Sequence, residues 1–403
     1  MMRYVVLLAV AASWRLMYGY PSQAQGEAAA LAARIEAAQS PNRQGWDPYT
    51  LQELMERFGV PGVSIAVIRD SQVYWSKEYG YADVTTKSAV RPDTLFQAAS
   101  ISKPVTAFAV MRLVDAGKLS LDEDVNRYLK SWKVPENEFT RGRPVTLRAL
   151  LSHTSGTGDG FGFPGYAPET AVPTIPQILD GVPPSNRPKV RLERPPLTGF
   201  KYSGGAVMIE QLTLTDAASR SLEQLAHEWV LNPLGMTNST FEQPLPATRH
   251  AQAARAHGRD GQRMGDPWHV YPEQAAAGLW TTPTDLAKFV IEVQLSLLGK
   301  SNRVLKQSTM QEMVTPVGVG PFAVGFTVEK QGEGWYFMHG GSNWGFMCDV
   351  IGHRAKGYGL AIMTNGDNGS PLIQELRTRL ERAYQWDVFD TPLPRTYGPR
   401  DTP

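Results

Sequence analysis

The sequence predicts an α/β protein of the α+β kind, with an antiparallel sheet flanked by helices and joined to a mainly helical lobe. Two early runs, "GVSIAVIRD" and "QVYWSKEYG", are rich in β-branched and aromatic residues and meet at Asp70-Ser71. They predict a β-hairpin. After residue 320 the apolar period changes to two over four further runs, which predicts antiparallel strands. Between these two regions, the apolar residues mostly recur at helical spacing. We therefore expect one sheet assembled from both ends of the chain.

Apolar residues at helical spacing place the main helices. A helix that begins near Ser100 should end before Gly117, because glycine favours the turn that follows a helix. Thr282 followed by Pro283 is a typical helix start. The other helical patterns lie at 27–38, 49–58, around 221–229 and 371–385.

The segment 156–200 is rich in proline, glycine and aromatic residues, and it is too long for a plain connection. Two interpretations remain open, a loop that lines a pocket and a disordered segment. Four aromatic residues favour the pocket: Phe161, Phe163, Tyr166 and Phe200.

The patterns divide the chain into parts with definite bounds. We predict a signal peptide at 1–24, a helical segment at 25–48, one domain at 49–386 and a tail at 387–403. Within the domain, we assign 49–99 and 296–386 to the sheet lobe and 100–295 to the helical lobe.

Composition excludes several classes of function. The 403 residues carry a net charge of +1 without a basic run, so nothing indicates nucleic-acid binding. A single cysteine, Cys348, rules out an intrachain disulfide and a cysteine-rich metal site. The seven histidines form no zinc-binding pair, so we expect neither a metal nor an organic cofactor. The sequence leaves the oligomeric state open.

The N-terminus predicts export. Arg3 precedes an apolar run from Tyr4 to Trp14, and small residues at Ser22 and Ala24 suit cleavage after Ala24. The run is too short to cross a bilayer. We therefore expect a periplasmic or secreted protein without a transmembrane span.

The stretch "FQAASISKPVTAF" carries the first candidate for chemistry. Residues i and i+3 share a helix face, so Ser100 and Lys103 can meet. Free backbone N–H groups in a first turn favour developing negative charge. This arrangement suits a serine nucleophile with an activating lysine. The alternative is a helix cap at Ser100 with a surface lysine. Ser102 faces elsewhere and is interpreted as a small packing residue.

Two further features favour the nucleophile. Tyr202, in "GFKYSGGAV", stands in a glycine-flanked turn, and a tyrosine hydroxyl becomes a usable base beside a cation. The run "MHGGSNWGF" ends a strand with His339, Gly340 and Gly341, and Ser342 follows. Paired glycines let a substrate lie close to a strand edge. The alternatives are an amphipathic tyrosine and a glycine-rich hairpin turn.

The order S-x-x-K, then Y-x-x, then H-G-G resembles the serine β-lactamase and penicillin-binding-protein superfamily, in its class C-like branch. The runs "VTLRALLSHTSGT", "VLNPLGMTNSTF" and "AAAGLWTTPTDLAKF" are similar to this family too, and the resemblance covers roughly residues 50 to 385. It implies a β-lactamase/transpeptidase-like fold that acts on a small-molecule ester or amide.

The resemblance also implies roles for single residues. It makes Ser100 the nucleophile, Lys103 its partner and Tyr202 the base. The family's third motif falls on His339, Gly340 and Gly341, and its oxyanion hole falls on the N–H groups of Ser100 and Ser342. His153, in "LLSHTSG", is interpreted as structural, because nothing in the sequence places it beside Ser100.

Two departures from the β-lactamase pattern rank the functions that we consider. Gly204 stands where the family ordinarily carries an asparagine, and His339 replaces the lysine of the third motif. Both changes weaken the case for β-lactam hydrolysis and leave acyl transfer intact. We therefore rank a carboxylesterase on small or medium acyl esters first. A β-lactamase or D-amino-acid peptidase (DD-carboxypeptidase) is second, and a non-catalytic binding or assembly module of the same fold is third.

Overall fold

A computed structural model describes residues 14–15, 22–39, 45–160 and 162–387 of the chain. Most of the predicted signal peptide, Phe161 and the predicted tail after Asp387 lie outside the described residues. The strands are β1 (Trp14–Arg15), β2 (Gly62–Arg69), β3 (Gln72–Asp83), β4 (Ser88–Ala89), β5 (Phe96–Gln97), β6 (Trp280–Thr281), β7 (Thr327–Gln331), β8 (Gly334–Asn343), β9 (Phe346–His353) and β10 (Gly359–Thr364).

Eleven α-helices occur in the described residues. They are α1 (Ser22–Glu36), α2 (Leu51–Phe58), α3 (Ser102–Asp115), α4 (Leu147–Leu151), α5 (Ile175–Asp180), α6 (Gly204–Ala218), α7 (Leu222–Ala226), α8 (Gln274–Ala277), α9 (Pro283–Leu297), α10 (Gln307–Met313) and α11 (Gly369–Ala383). None of these helices is long and apolar enough to span a membrane.

The main sheet joins the two ends of the chain, as predicted. Its strands lie in the order β1-β3-β2-β10-β9-β8-β7, all neighbours are antiparallel, and β4 pairs with the end of β3. The β2–β3 hairpin turns at Asp70 and Ser71, each with a φ of 54°, because a two-residue hairpin turn needs positive φ to match the strand twist. The junction is β2 with β10, where Val63 pairs with Thr364.

Helices cover both faces of the sheet. On one face α9 packs against β2, β3, β9 and β10, so α9 contacts the sheet although we placed most of it in the helical lobe. Thr282 caps α9 by accepting a hydrogen bond from the Asp285 N–H, which confirms the predicted start. On the other face lie α1, α2 and α11, with a core of their own that includes Leu54, Ile65 and Leu376.

The helical part of the chain centres on α3, α6 and α8, which contact one another. The segment 156–200 contains α5, which the sequence analysis did not predict. Of the predicted run "PFAVGFTVEK", only the last four residues are in a strand, because residues 321–326 form bends and an isolated bridge ahead of β7.

Asp387, the last residue that the structure describes, lies at the predicted start of the tail. Its carboxylate accepts hydrogen bonds from the hydroxyls of Tyr336 and Tyr358, each at 2.5 Å, and from Lys356 Nζ at 2.8 Å. Asp387 is buried, and these bonds hold its pKa far below the usual value against the opposing effect of burial. The residue therefore belongs to the folded domain.

The N-terminal segment is attached to α11 through one buried arginine. Arg379 Nε donates to Glu375 at 2.8 Å, and its Nη atoms donate to four backbone carbonyls of the segment 35–49. The side chain of Arg379 is fully buried. A guanidinium can donate to several acceptors in a fixed geometry. The hydrogen bonds from Arg379 therefore replace those that these carbonyls would make to water in the unfolded chain.

We predict that Arg379→Met lowers the free energy of unfolding by about 3–5 kcal/mol, because it removes the charged partner of buried Glu375 and the hydrogen bonds that the guanidinium donates to four carbonyls. Urea denaturation measures the change. Arg34→Met, at an exposed position of α1, is the matched control. Its free energy of unfolding should stay within about 0.5 kcal/mol of the wild-type value. Equal stability of the two variants would contradict the assignment.

Candidate active site

The turn that carries Ser100 leads directly into α3. Residues Ala99–Ile101 form a 3-10 turn, and α3 begins at Ser102. Lys103 Nζ donates a hydrogen bond of 2.9 Å to Ser100 Oγ and another of 2.9 Å to the Ala276 carbonyl. The predicted meeting of Ser100 and Lys103 is therefore present. The carbonyl of Ala276 holds the lysine amine at the serine.

Ser102 is more than a packing residue. It is fully buried, and its hydroxyl donates to the Ala99 carbonyl and accepts from the Leu279 N–H at 3.0 Å. The φ of Ala99 is 55°, which is uncommon for a residue other than glycine. Ser102 thus ties down the backbone of a strained residue that directly precedes Ser100.

The turn of Ser100 packs on β8 at Gly341. A Cβ atom at this glycine would lie 2.3 Å from the Ala98 carbonyl oxygen and 2.5 Å from Cys348 Sγ. The buried Cys348 thiol donates to the Ala98 carbonyl at 3.0 Å. Only a residue without a side chain allows this approach, which brings the backbone of Ser100 next to β8.

Tyr202 lies beside Lys103 at the start of α6. Lys103 Nζ is 5.0 Å from the centroid of the Tyr202 ring. The next residue, Ser203, caps α6, and Asp159 accepts hydrogen bonds of 2.7 Å from the Ser203 hydroxyl and from the Gly205 N–H. Asp159 therefore fixes the backbone that carries Tyr202. Sequence analysis missed Asp159, which lies 44 residues from Ser203.

His153 packs against Tyr202, a contact that the sequence did not indicate. Its ring centroid is 4.2 Å from that of Tyr202, and its Nδ1 accepts a hydrogen bond of 3.2 Å from the Ser203 N–H. Burial, with further contributions from the charge of Lys103 and from His339, holds the pKa of His153 well below its ordinary value. The ring is thus neutral at pH 7 and supports the Tyr202 ring from one side.

His339 at the third motif is also neutral. It is buried, and its Nδ1 lies 2.6 Å from the Gly340 carbonyl oxygen. A carbonyl oxygen can only accept, so Nδ1 carries the proton. Burial, and secondly the charge of Lys103, lower the pKa of His339 to about 3. His339 therefore offers no positive charge to a substrate carboxylate at neutral pH.

The space beside Gly204 is occupied by an aromatic ring. A Cβ atom at Gly204 would lie 2.7 Å from Cε2 of Phe163. An asparagine at this position would therefore collide with the ring. Of the four aromatic residues that favoured a pocket, Phe163 lines the cavity. Phe200 stacks on Phe322 at 5.6 Å, whereas Tyr166 is buried away from the cavity, with its hydroxyl bonded to the Asn186 N–H.

A second residue that sequence analysis missed is Glu210 on α6. It is fully buried, and its Oε1 has no hydrogen-bond partner among the described residues. Burial raises the pKa of Glu210 to about 8, although the nearby charge of Lys103 opposes the rise. The carboxyl is therefore mostly protonated at pH 7 and does not neutralise Lys103 as a full ion pair would.

One open cavity of about 790 Å³ joins these residues. Its walls come from the turn of Ser100, the segment after residue 160, Tyr202 ahead of α6, Phe322, β7, β8, β9 and α11. The lining residues are Ser100, Gly162, Phe163, Pro164, Arg187, Tyr202, Phe322, Thr327, His339, Gly340, Gly341, Ser342, Cys348, Asp349, Ser370, Ile373, Gln374 and Arg377. Except for Lys103, which lies behind Ser100, every predicted site residue is on this list.

Comparison with known proteins agrees with this geometry. The Beta-lactamase family profile matches residues 50–385. The chain belongs to the β-lactamase family, and the fold and the family are those of serine hydrolases. The predicted resemblance and the predicted β-lactamase/transpeptidase-like fold are therefore confirmed.

A curated relative is Protein flp of Staphylococcus aureus, strain MW2. It is 23% identical over 330 residues, which are 81% of this chain and 64% of flp. The chain thus spans less than two thirds of the length of that relative.

Solved structures share the fold at low identity. D-amino acid amidase from Ochrobactrum anthropi SV3, complexed with L-phenylalanine, has a TM-score of 0.70 at 21% identity, over 89% of this chain and 98% of the amidase. D-alanine carboxypeptidase AmpC from Burkholderia cenocepacia has a TM-score of 0.65 at 21% identity, over 87% and 99% of the two chains.

The contact at Gly341 gives a matched pair of variants. We predict that Gly341→Ala lowers the free energy of unfolding by about 1–3 kcal/mol, because the new methyl group collides with the Ala98 backbone and Cys348. At Gly340 a Cβ atom would meet nothing closer than 3.8 Å, so Gly340→Ala should stay within about 0.5 kcal/mol of the wild type. Thermal or urea denaturation measures both changes. Equal losses would show that the turn of Ser100 does not rest on Gly341.

Proposed function

We propose that the protein is a carboxylesterase that forms an acyl-enzyme on Ser100 and acts on small or medium acyl esters. The observation that carries this proposal is the 2.9 Å hydrogen bond between Lys103 Nζ and Ser100 Oγ in a cavity shared with Tyr202. A serine hydroxyl is a weak nucleophile until a neighbouring group accepts its proton. Here the Lys103 amine is hydrogen-bonded to the serine, and Tyr202 lines the same cavity.

In the first half of the reaction, Tyr202 acts as a phenolate beside the Lys103 cation and takes the proton from Ser100, and Oγ attacks the ester carbonyl. The N–H groups of Ser100 and Ser342 would stabilise the resulting oxyanion. The tetrahedral intermediate collapses when the carbon–oxygen bond of the leaving group breaks. Tyr202 returns the proton to the departing alcohol. The products of this half are the alcohol and an acyl ester of Ser100.

In the second half, water replaces the alcohol. Tyr202 takes a proton from the water as the oxygen attacks the acyl carbonyl. The bond to Ser100 Oγ then breaks, and the serine recovers its proton from Tyr202. The carboxylic acid leaves, and the site returns to its starting state without a cofactor.

The ester preference rests on the walls of the cavity. The ring of Phe163 fills the position beside Gly204 where an asparagine amide would contact a polar acyl side chain. Phe322 and Pro164 extend this apolar wall. The neutral ring of His339 replaces the cation that would bind a substrate carboxylate. Both features favour an apolar acyl group over a β-lactam.

A second candidate function is amide hydrolysis on a D-amino-acid derivative, as in a D-amino-acid peptidase or DD-carboxypeptidase. The similar amidase was solved with phenylalanine bound, and an aromatic side chain would suit the wall formed by Phe163 and Phe322. A non-catalytic binding module is the remaining alternative. We also infer export, which is supported by the sequence pattern at residues 1–24.

The test compares hydrolysis of a p-nitrophenyl ester and of a chromogenic cephalosporin by the wild type and by variants. We expect ester turnover to dominate and Ser100→Ala to reduce it by about 10³-fold or more. Tyr202→Phe should reduce it by about 10²–10⁴-fold. Tyr166→Phe removes a hydroxyl outside the cavity and is the matched control, with activity near that of the wild type.

Three outcomes would change the proposal. Ester turnover that survives Ser100→Ala would exclude the mechanism. Comparable turnover of the cephalosporin would favour a β-lactamase. If neither substrate is cleaved and a fluorophosphonate fails to label Ser100, the protein is a binding module.

A further inference from the structure

The cavity extends beyond Ser100 to a polar group of residues on the other face of the sheet. These residues are Thr327 on β7, Asp349 on β9, and Ser370, Gln374 and Arg377 on α11. None of them has a part in the chemistry at Ser100. We call these five residues the far subsite.

The edge of β8 makes the far subsite reachable from Ser100. Pairing between β7 and β8 begins with Thr327 and Met338, and the following residues of β8 are paired only with β9 in the described part of the chain. Gly340 pairs with Asp349, and a Cβ atom at Gly340 would lie 3.8 Å from Asp349 Oδ1. Position 340 therefore places no side chain between the edge of β8 and the Asp349 carboxylate.

The charges of the far subsite favour a hydrogen-bond donor. The only cation in it, Arg377, already serves three partners: Asp349 at 3.5 Å, Glu381 at 2.7 Å and Gln331 at 2.9 Å. Two carboxylates thus share one guanidinium, which leaves a negative excess. Burial raises the pKa of Asp349 to about 6 against the effect of Arg377, so the group is still mostly ionised above pH 7.

We propose that the far subsite binds the leaving group of the substrate, and that this group is an alcohol or amine with ammonium or hydroxyl donors rather than a carboxylate. This inference rests on the proposed acyl transfer at Ser100. The acid that protonates a leaving group must lie beside it, and Tyr202 has that role. The ring of His339 is 6.2 Å from that of Tyr202, and the edge then continues to Gly340. The leaving group therefore departs toward Asp349.

The experiment uses esters of one acyl group, phenylacetate, with three leaving alcohols of similar size. The 2-(dimethylamino)ethyl ester carries an ammonium donor, and because its amine is tertiary, the acyl group cannot migrate from oxygen to nitrogen. The 3-methylbutyl ester is its uncharged isostere, and the 2-carboxyethyl ester carries a carboxylate. Two phenylacetamides, in which N–H replaces the ester oxygen of the 2-(dimethylamino)ethyl and 3-methylbutyl esters, are measured in parallel at pH 8.

For the wild type we expect kcat/KM to be about tenfold or more higher for the ammonium ester than for its isostere, as for one charge-assisted hydrogen bond. The carboxylate ester should be poorer than the isostere. Asp349→Asn should reduce the ammonium-to-isostere ratio about tenfold. Gln374→Lys, at an exposed position of α11, should also lower the ammonium-to-isostere ratio and should raise kcat/KM for the carboxylate ester. This variant provides a second test if Asp349→Asn is unstable.

Glu333→Gln is the matched control. It removes an exposed carboxylate charge from the turn between β7 and β8, and Glu333 neither lines the cavity nor contacts Arg377, so the ratio should stay at the wild-type value. A wild-type ratio near one, or a ratio that neither Asp349→Asn nor Gln374→Lys changes, would overturn the inference.

The same measurements distinguish a failure of the proposed esterase function from a failure of the far-subsite inference. If the wild type cleaves the amides but not the esters, the esterase assignment is wrong and the amide ratio tests the far subsite. If it cleaves neither pair, both proposals are wrong.

Discussion

The contact between the turn of Ser100 and Gly341 is the constraint on which the site depends. The Ala98 carbonyl and the Ala99 side chain lie where a side chain at position 341 would have to be. This contact sets the distance between the nucleophile and the edge of β8. The hydrogen bonds of Ser102 to Ala99 and Leu279 hold the turn from the opposite side. A strained backbone persists only where its surroundings determine it in this way.

The architecture follows from the same need. β8 comes from the C-terminal meander, the Ser100 turn follows the N-terminal hairpin, and α6 and α8 come from the helical insertion. The pairing of β2 with β10 joins the first two, and the Ala276 carbonyl joins α8 to Lys103. Three distant segments therefore meet at one serine. Their meeting leaves the free edge of β8 beyond Met338 accessible from both faces of the sheet, which gives the cavity an aromatic end and a polar end.

Sequence analysis predicted what depends on local spacing or on ordered motifs. Ser100 and Lys103 are three residues apart on a helical turn, so their meeting needs only local geometry. Asp159 and Glu210 were missed, and the packing of His153 on Tyr202 was not predicted, because these positions beside Tyr202 or Lys103 arise from tertiary packing. The absent asparagine at Gly204 was visible in the sequence. The ring of Phe163 that fills its place comes from a loop whose conformation no periodicity predicts.

The central claim is that Ser100, held by Lys103, becomes acylated. The most direct measurement is intact-protein and peptide mass spectrometry after rapid acid quenching of the wild type during turnover of a p-nitrophenyl ester. The account predicts one acyl group per chain, located on Ser100 and absent from Ser102 and Ser342. The Tyr202→Phe variant, in which deacylation should be slow, is quenched in the same way. Ester turnover without an acyl group on Ser100 in either protein would contradict the account, and so would an acyl group on another residue.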